Sequence, residues 1–234
     1  MHSPRQDLLR LLAYKSFRLG EFKLSSGGTS DYYIDCRTTT LDAKGARLTG
    51  EVFSVEIRQR GWKPQAIGGL TMGADPIVTA VSVVSGDLHG FLVRKAEKQH
   101  GTGQRIEGFR EKGARVVIVD DVCTTGASTV QAIEAAREFG FEIVGVMCLV
   151  EREEAKGRTS VEKAATPAPF VSIFTARDVR AEHILQTDDT APVIFAVAAS
   201  CEICGRPAVT NVPGNRCAAH KVGLTNDERI TTNN

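Results

Sequence analysis

Apolar and polar positions follow two rhythms along this chain, one near 3.6 residues and one of short continuous runs, and the two alternate. Leu8, Leu9, Leu11 and Leu12 among polar neighbours predict an amphipathic helix that ends near Gly20. Glu21 to Arg37 reads as loop and short strands. Lys44 to Arg60 reads as a helix with Leu48, Val52, Val55 and Ile57 toward the core. Ala66 to Gly69 is a short strand running into a glycine turn. Asp75 to Val84 is a second core helix, with Pro76 in a helix-starting position. Gly90 to Val93 is a strand, and the polar, glycine-containing stretch from Lys95 to Gly113 is an exposed loop. Val116 to Val119, mostly β-branched, is a buried strand that ends at the carboxylates of Asp120 and Asp121, and a helix follows through Arg137. Ile143 to Val150 is another buried strand, Glu153 to Ala165 a helix, and Phe170 to Phe174 a last strand. Strands alternating with helices imply an α/β fold, a mostly parallel sheet with helices on both faces. Ligands in such sheets lie outside the carboxyl ends of the strands.

At 234 residues the chain suits one α/β domain with a small appendage. Its net charge of +1 provides no global field for nucleic acid or membrane, so neither is expected as a partner. No apolar run reaches membrane-spanning length, and residues 1–7 lack the apolar core of a signal peptide, so a cytoplasmic protein is expected.

The richest chemistry lies between residues 116 and 129. A strand, two carboxylates, a turn of small and hydroxyl residues with one glycine, and a helix start succeed one another. The turn and helix N-terminus can present backbone N–H groups to a phosphate. Carboxylates accept hydrogen bonds from hydroxyls and can reach Mg²⁺ directly or through water. Phosphate on one side and diol acceptors on the other describe a ribose 5-phosphate.

This stretch resembles the signature of type I phosphoribosyltransferases, which use phosphoribosyl pyrophosphate (PRPP). The resemblance implies that family's fold, with a small N-terminal hood. It implies that Asp120 and Asp121 hold the ribose hydroxyls, that Thr124 through Thr129 hold the phosphate, and that Val122, Cys123, Thr124, Thr125, Gly126, Ala127 and Ser128 bind PRPP. Thr71 and Met72, after the turn at Gly68 and Gly69, would contact pyrophosphate. The segment Arg94-Lys95-Ala96-Glu97-Lys98-Gln99-His100-Gly101 is similar to the mobile loop of orotate phosphoribosyltransferases. Phe22-Lys23-Leu24-Ser25-Ser26-Gly27-Gly28-Thr29-Ser30-Asp31-Tyr32-Tyr33 resembles that family's N-terminal motif, and Leu149-Val150-Glu151-Arg152 is a third match. The activity implied by this resemblance is transfer of phosphoribosyl from PRPP to orotate, giving orotidine 5-phosphate and pyrophosphate in pyrimidine biosynthesis. Arg94, Lys95, Lys98 and His100 would bind PRPP, with Lys95, Lys98 and His100 joining the acidic pair in catalysis. Arg152, Thr124, Tyr32, Tyr33 and Ser25 would bind orotate, and PRPP would carry most of the Mg²⁺ coordination. A homodimer with shared active sites is also implied. Two other readings stand beside this one: transfer to a different base, or a PRPP-sensing regulator that binds nucleic acid.

The six cysteines divide into two groups. Cys36, Cys123 and Cys148 sit in apolar stretches and read as small buried hydrophobes. Cys201, Cys204, Cys217 and His220 form a C-x-x-C and C-x-x-H pair, the ligand spacing of a structural tetrahedral Zn²⁺ site. The expected division is a core over 1–180 that includes the hood, a linker or C-terminal strand over 181–197, a Cys₃His zinc module over 198–225, and a disordered tail over 226–234.

Overall fold

The computed structural model describes residues 3–23, 28–95 and 105–187. Helix α1 (Pro4–Lys15) begins at Ser3, whose side chain accepts from the Gln6 amide, with Pro4 at the first helical position. It ends five residues before Gly20. Phe17 instead opens strand β1 (Phe17–Lys23), which pairs antiparallel with β2 (Thr29–Ile34). Phe17 is buried in the core, and the pairing from Phe17↔Ile34 onward overrides the helical rhythm. This two-stranded ribbon lies where the resemblance implied an N-terminal hood.

Short α2 (Arg37–Thr40) and long α3 (Ala43–Gln59) lead to β3 (Ala66–Leu70), α4 (Asp75–Ser85) and β4 (His89–Val93). Leu48, Val52, Phe53 and Ile57 form the buried stripe of α3. Val55 falls at its edge and is exposed, contrary to the expected core position. The segment read as loop after Lys95 contains a strand, β5 (Ile106–Gly108), which runs antiparallel to β4 and buries Ile106. The Arg94 amide donates to the Arg105 carbonyl at 2.9 Å.

Strand β6 (Arg115–Cys123) continues beyond the acidic pair because β7 (Glu142–Glu151) matches it as far as Cys123↔Glu151. Helix α5 (Ala127–Phe139) lies between those strands in the chain. After β7 a 3-10 turn (Glu153–Ala155) and left-handed Lys156 interrupt the expected single helix, so α6 spans only Gly157–Ala165. Strand β8 (Phe170–Thr175) is followed by α7 (Ala176–Thr187), where the residue pattern suggested a core ending at 180 and a linker or strand from 181. Val179 of α7 is fully buried, and the Gln186 side-chain amide donates to the Arg10 carbonyl, so packing on α1 holds this helix.

The main sheet has the order β5-β4-β3-β6-β7-β8, parallel apart from edge strand β5. Residues of α1, α3, α4 and α7 share one core cluster with Val117 and Val119. Residues of α5 and α6 share the other with Val116 and Ile118. Alternation along β6 thus buries both faces of one strand. From β3 the chain moves to β4 on one side, and from β6 to β7 on the other. The carboxyl ends of β3 and β6 therefore meet at the switch point where open α/β sheets bind ligands. Among the described residues, no helix is long and apolar enough to cross a membrane.

Candidate active site

A cleft of about 380 Å³ opens at this switch point. Its floor is the end of β6. Asp120 is 4 % exposed, and its Oδ2 accepts from the Thr129 hydroxyl at 2.7 Å. Its Oδ1 accepts from the Asp121 amide at 3.0 Å, and Asp121 Oδ1 accepts from the Val122 amide at 2.8 Å. Burial, then the neighbouring charge of Asp121, pushes the Asp120 carboxyl up to about 7. Burial also raises Asp121, which is less enclosed, while the nearby Arg37 opposes that rise. Asp120 thus lies within the sheet and not at the strand end expected after Val119, because β6 runs on past it.

The turn Thr124–Gly126 leads into α5, whose N-cap Gly126 supplies no side-chain cap and whose Ala127 amide has only the Thr125 hydroxyl at 3.5 Å. Uncapped amides at a helix start suit a phosphate. Gly126 sits at φ 78°, and a Cβ there would lie 2.9 Å from the Gly157 carbonyl oxygen. The start of α6 thus backs the turn. Val122, Thr124 and Ser128 line the cleft. Thr125, Gly126 and Ala127 do not, and the Cys123 side chain packs into the core, as its apolar setting suggested.

The opposite wall is the loop after β3. Thr71 and Gly73 line the cleft, whereas Met72 projects outward and does not. A Cβ on Gly73 would collide with Asp121 Oδ1, so the loop backbone lies directly over that carboxylate. Lys95 lines the cleft at the end of β4. Arg94 does not, and its Nη1 lies 3.4 Å from the Glu107 carboxylate. Lys98, His100 and Ser25 lie outside the described residues, as do Cys201, Cys204, Cys217 and His220.

The hood closes the third side. Tyr33 and Arg152 line the cleft. Tyr32 does not: alternation along β2 turns it to the other face, where its ring stacks on Phe17 at 5.2 Å. The expected aromatic pair is therefore split. Sequence reasoning also missed Asp35 and Arg37, which line the cleft just after β2. Arg37 donates to both Asp35 oxygens at 2.9 Å and holds that carboxyl below its usual range. Opposite charges two residues apart, immediately after a hood strand, were the available signal. Among the described residues, no group of three or more His, Cys, Asp or Glu could hold a metal ion.

The phosphoribosyl transferase domain family matches residues 40–167. The chain is 41 % identical over 170 residues to an orotate phosphoribosyltransferase of Aquifex aeolicus, covering 70 % of this chain and 91 % of that one. It is 42 % identical over 176 residues to that of Corynebacterium glutamicum, covering 75 % and 93 %. A crystal structure of the Mycobacterium tuberculosis enzyme in complex with PRPP superposes with a TM-score of 0.64 at 32 % identity, covering 76 % of this chain and 99 % of that one.

The raised Asp120 carboxyl has a consequence for stability. Its folded value lies above the ordinary 3.8, so the protonated form contributes stability that is fully present below about pH 4 and lost as pH rises through about 7. Asp120→Asn keeps an acceptor for Thr129 and removes the charge. The thermal midpoint of the unliganded variant should match wild type near pH 4 and exceed it at pH 8, the gap corresponding to roughly 1–4 kcal/mol. Calorimetry showing no gap at pH 8 would contradict a buried ionised carboxylate.

Proposed function

We infer a division of roles for this chain, which belongs to the orotate phosphoribosyltransferase family and transfers the phosphoribosyl group of PRPP to orotate. The observation that carries it is the single cleft shared by Asp121, the uncapped start of α5, Lys95 and Arg152. In this reading the ribose hydroxyls donate to Asp120 and Asp121. The 5-phosphate rests on amides between Thr124 and Ser128. Thr71 and the backbone of Met72 and Gly73 face the pyrophosphate. Lys95, with Lys98, His100 and Arg94, adds positive charge to a leaving group that gains negative charge as it departs. The bond from C1 to the pyrophosphate oxygen breaks, and a ring nitrogen of orotate forms the new bond to C1. The base is already anionic through its carboxylate, and the proton on that nitrogen leaves with the departing pyrophosphate, so no strong base is needed. Arg152 takes the orotate carboxylate as a fork, Thr124 hydrogen-bonds the ring, and Tyr33 and the segment around Ser25 flank it.

Mg²⁺ fits the donor chemistry of this cleft. The ion prefers phosphate and water oxygens supplemented by one or two carboxylates, and Asp121 is the more accessible of the pair. When bound, it neutralises charge on the pyrophosphate. Replacing both Asp120 and Asp121 by Asn should lower kcat/KM about 100-fold or more. The readout is orotate-dependent loss of absorbance with PRPP and Mg²⁺, with uracil, adenine, guanine and xanthine as controls. Near-normal turnover of orotate by the double variant would overturn the ribose assignment.

A homodimer with shared sites accompanies this reading. An apolar groove lined by Leu41, Pro76, Val83 and Val84 supports it, beginning at Asp75 beside the pyrophosphate loop. Leu41 and Val83 are large exposed hydrophobics. Mixing inactive Asp120→Asn, Asp121→Asn protein with inactive Lys98→Ala protein should restore activity in hybrid dimers. Failure to complement, once subunit exchange is verified, counts against a shared site. A structural Zn²⁺ bound by Cys201, Cys204, Cys217 and His220 is supported by ligand spacing alone. Protein purified without chelator should carry about one zinc per chain, and Cys204→Ser with Cys217→Ser should remove it while orotate turnover persists. A wild-type protein without zinc would end that assignment.

A further inference from the structure

We propose that Tyr32 and Glu154 position Arg152 for the orotate carboxylate, making Tyr32 a positioning residue and not a stacking surface for the pyrimidine. The inference rests on the role given to Arg152 above.

The argument begins with the split pair in β2. Tyr33 faces the cleft, while the Tyr32 ring is buried against Phe17 and has no face left for a substrate. What Tyr32 presents is its hydroxyl. Arg152 Nε donates to that hydroxyl at 2.8 Å and to Glu154 Oε1 at 3.0 Å. The same Tyr32 hydroxyl donates to Glu154 Oε1, so three groups close a ring of hydrogen bonds. Arg152 Nη2 donates to Ser30 Oγ at 3.0 Å, and Ser30 in turn donates to the Tyr32 carbonyl at 2.8 Å. The guanidinium carbon stands 4.5 Å from the Tyr32 ring centroid. One edge of the guanidinium, Nε with Nη2, is thereby committed to the protein.

A guanidinium has five N–H donors in a fixed fork. With that edge held, Nη1 makes no hydrogen bond among the described residues. The Nη1–Nη2 end remains for a carboxylate that accepts two parallel bonds. Arg152 is 8 % exposed and lines the cleft, so its fixed orientation is presented to the substrate and not to bulk water. A free arginine would lose side-chain entropy on being fixed, and here the fixing precedes binding. Burial, then the Glu154 contact, pushes the Tyr32 hydroxyl up to about 12, so it stays a donor throughout the working pH range. Tyr32 thus couples the hood to the strand end that carries the orotate-facing cation.

Tyr32→Phe deletes the hydroxyl and keeps the ring on Phe17. The KM for orotate should rise about 5- to 10-fold, while kcat and the KM for PRPP stay within about twofold. Glu154→Ala should do the same. Its side chain is 55 % exposed, so this variant carries the test even where Tyr32→Phe fails to fold. Glu154→Gln keeps an oxygen that accepts both bonds and should restore orotate KM to within about twofold of wild type. A purely structural role would move both substrates and the thermal midpoint together and would show no such rescue. Arg152→Ala, measured alongside, separates the two levels. If it leaves orotate KM unchanged, the role of Arg152 itself falls and the inference with it. If it raises orotate KM while Tyr32→Phe and Glu154→Ala do not, the positioning inference alone is overturned.

Discussion

The carboxylate of Asp120, buried at the carboxyl end of the central strand, sets the terms for the site around it. An anion in apolar surroundings is disfavoured, and a second carboxylate beside it worsens the position. Two donors oppose that: the hydroxyl of Thr129 and the amide of Asp121. Thr129 reaches back only because just three residues separate the end of β6 from the start of α5. So short a connection requires the left-handed Gly126 and a flat seat against the start of α6. The shape of the phosphate turn is therefore tied to the solvation of a carboxylate one turn away. The donors do not fully compensate, and the carboxylate retains an electrostatic deficit at the floor of the cleft.

The other walls obey a similar logic of local balance. Net charge over the whole chain is +1, so the polyanion must be met by nearby groups. Arg37 brings positive charge toward Asp121 and is itself held by Asp35. On the far side of the hood, Arg152 is held by Tyr32, Ser30 and Glu154. In both places an arginine is fixed by groups on or next to the ribbon β1–β2. The hood thus does more than wall the cleft, since it determines where two cations point.

Much of this was legible in the residues. The continuous β-branched run at 116–119 and the acidic pair after it marked the central strand, and the helix after Gly126 appeared where expected. Mistakes arose where tertiary pairing outweighs local rhythm. Phe17 looked like helix until β2 claimed it, and Ile106 looked like loop until β4 did. Asp120 looked like a strand end because nothing in the chain announces that β7 is long enough to extend β6 past it. The motif at residues 22–33 signalled a base-binding hood, but a motif does not state which face of a strand each tyrosine occupies. Asp35 and Arg37 went unread because each, taken singly, looks like a surface charge. The C-terminal Cys and His pattern and residues 96–101 of the cationic segment lie outside the described residues.

The hydrogen bond from the Arg94 amide to the Arg105 carbonyl fastens residues 95–104 at both ends, at neighbouring points on the sheet edge. A chain pinned twice at one place has only half its length to spend on distance. Ten residues at about 3.4 Å each, out and back, span at most roughly 17 Å. That bound follows from the two described ends and the number of residues between them. The antiparallel pairing of a three-residue strand, minor in the architecture of the sheet, fixes the length of that leash. An insertion or deletion between Lys95 and Gln104 would lengthen or shorten its radius by about 1.7 Å per residue, without altering a single contact in the core.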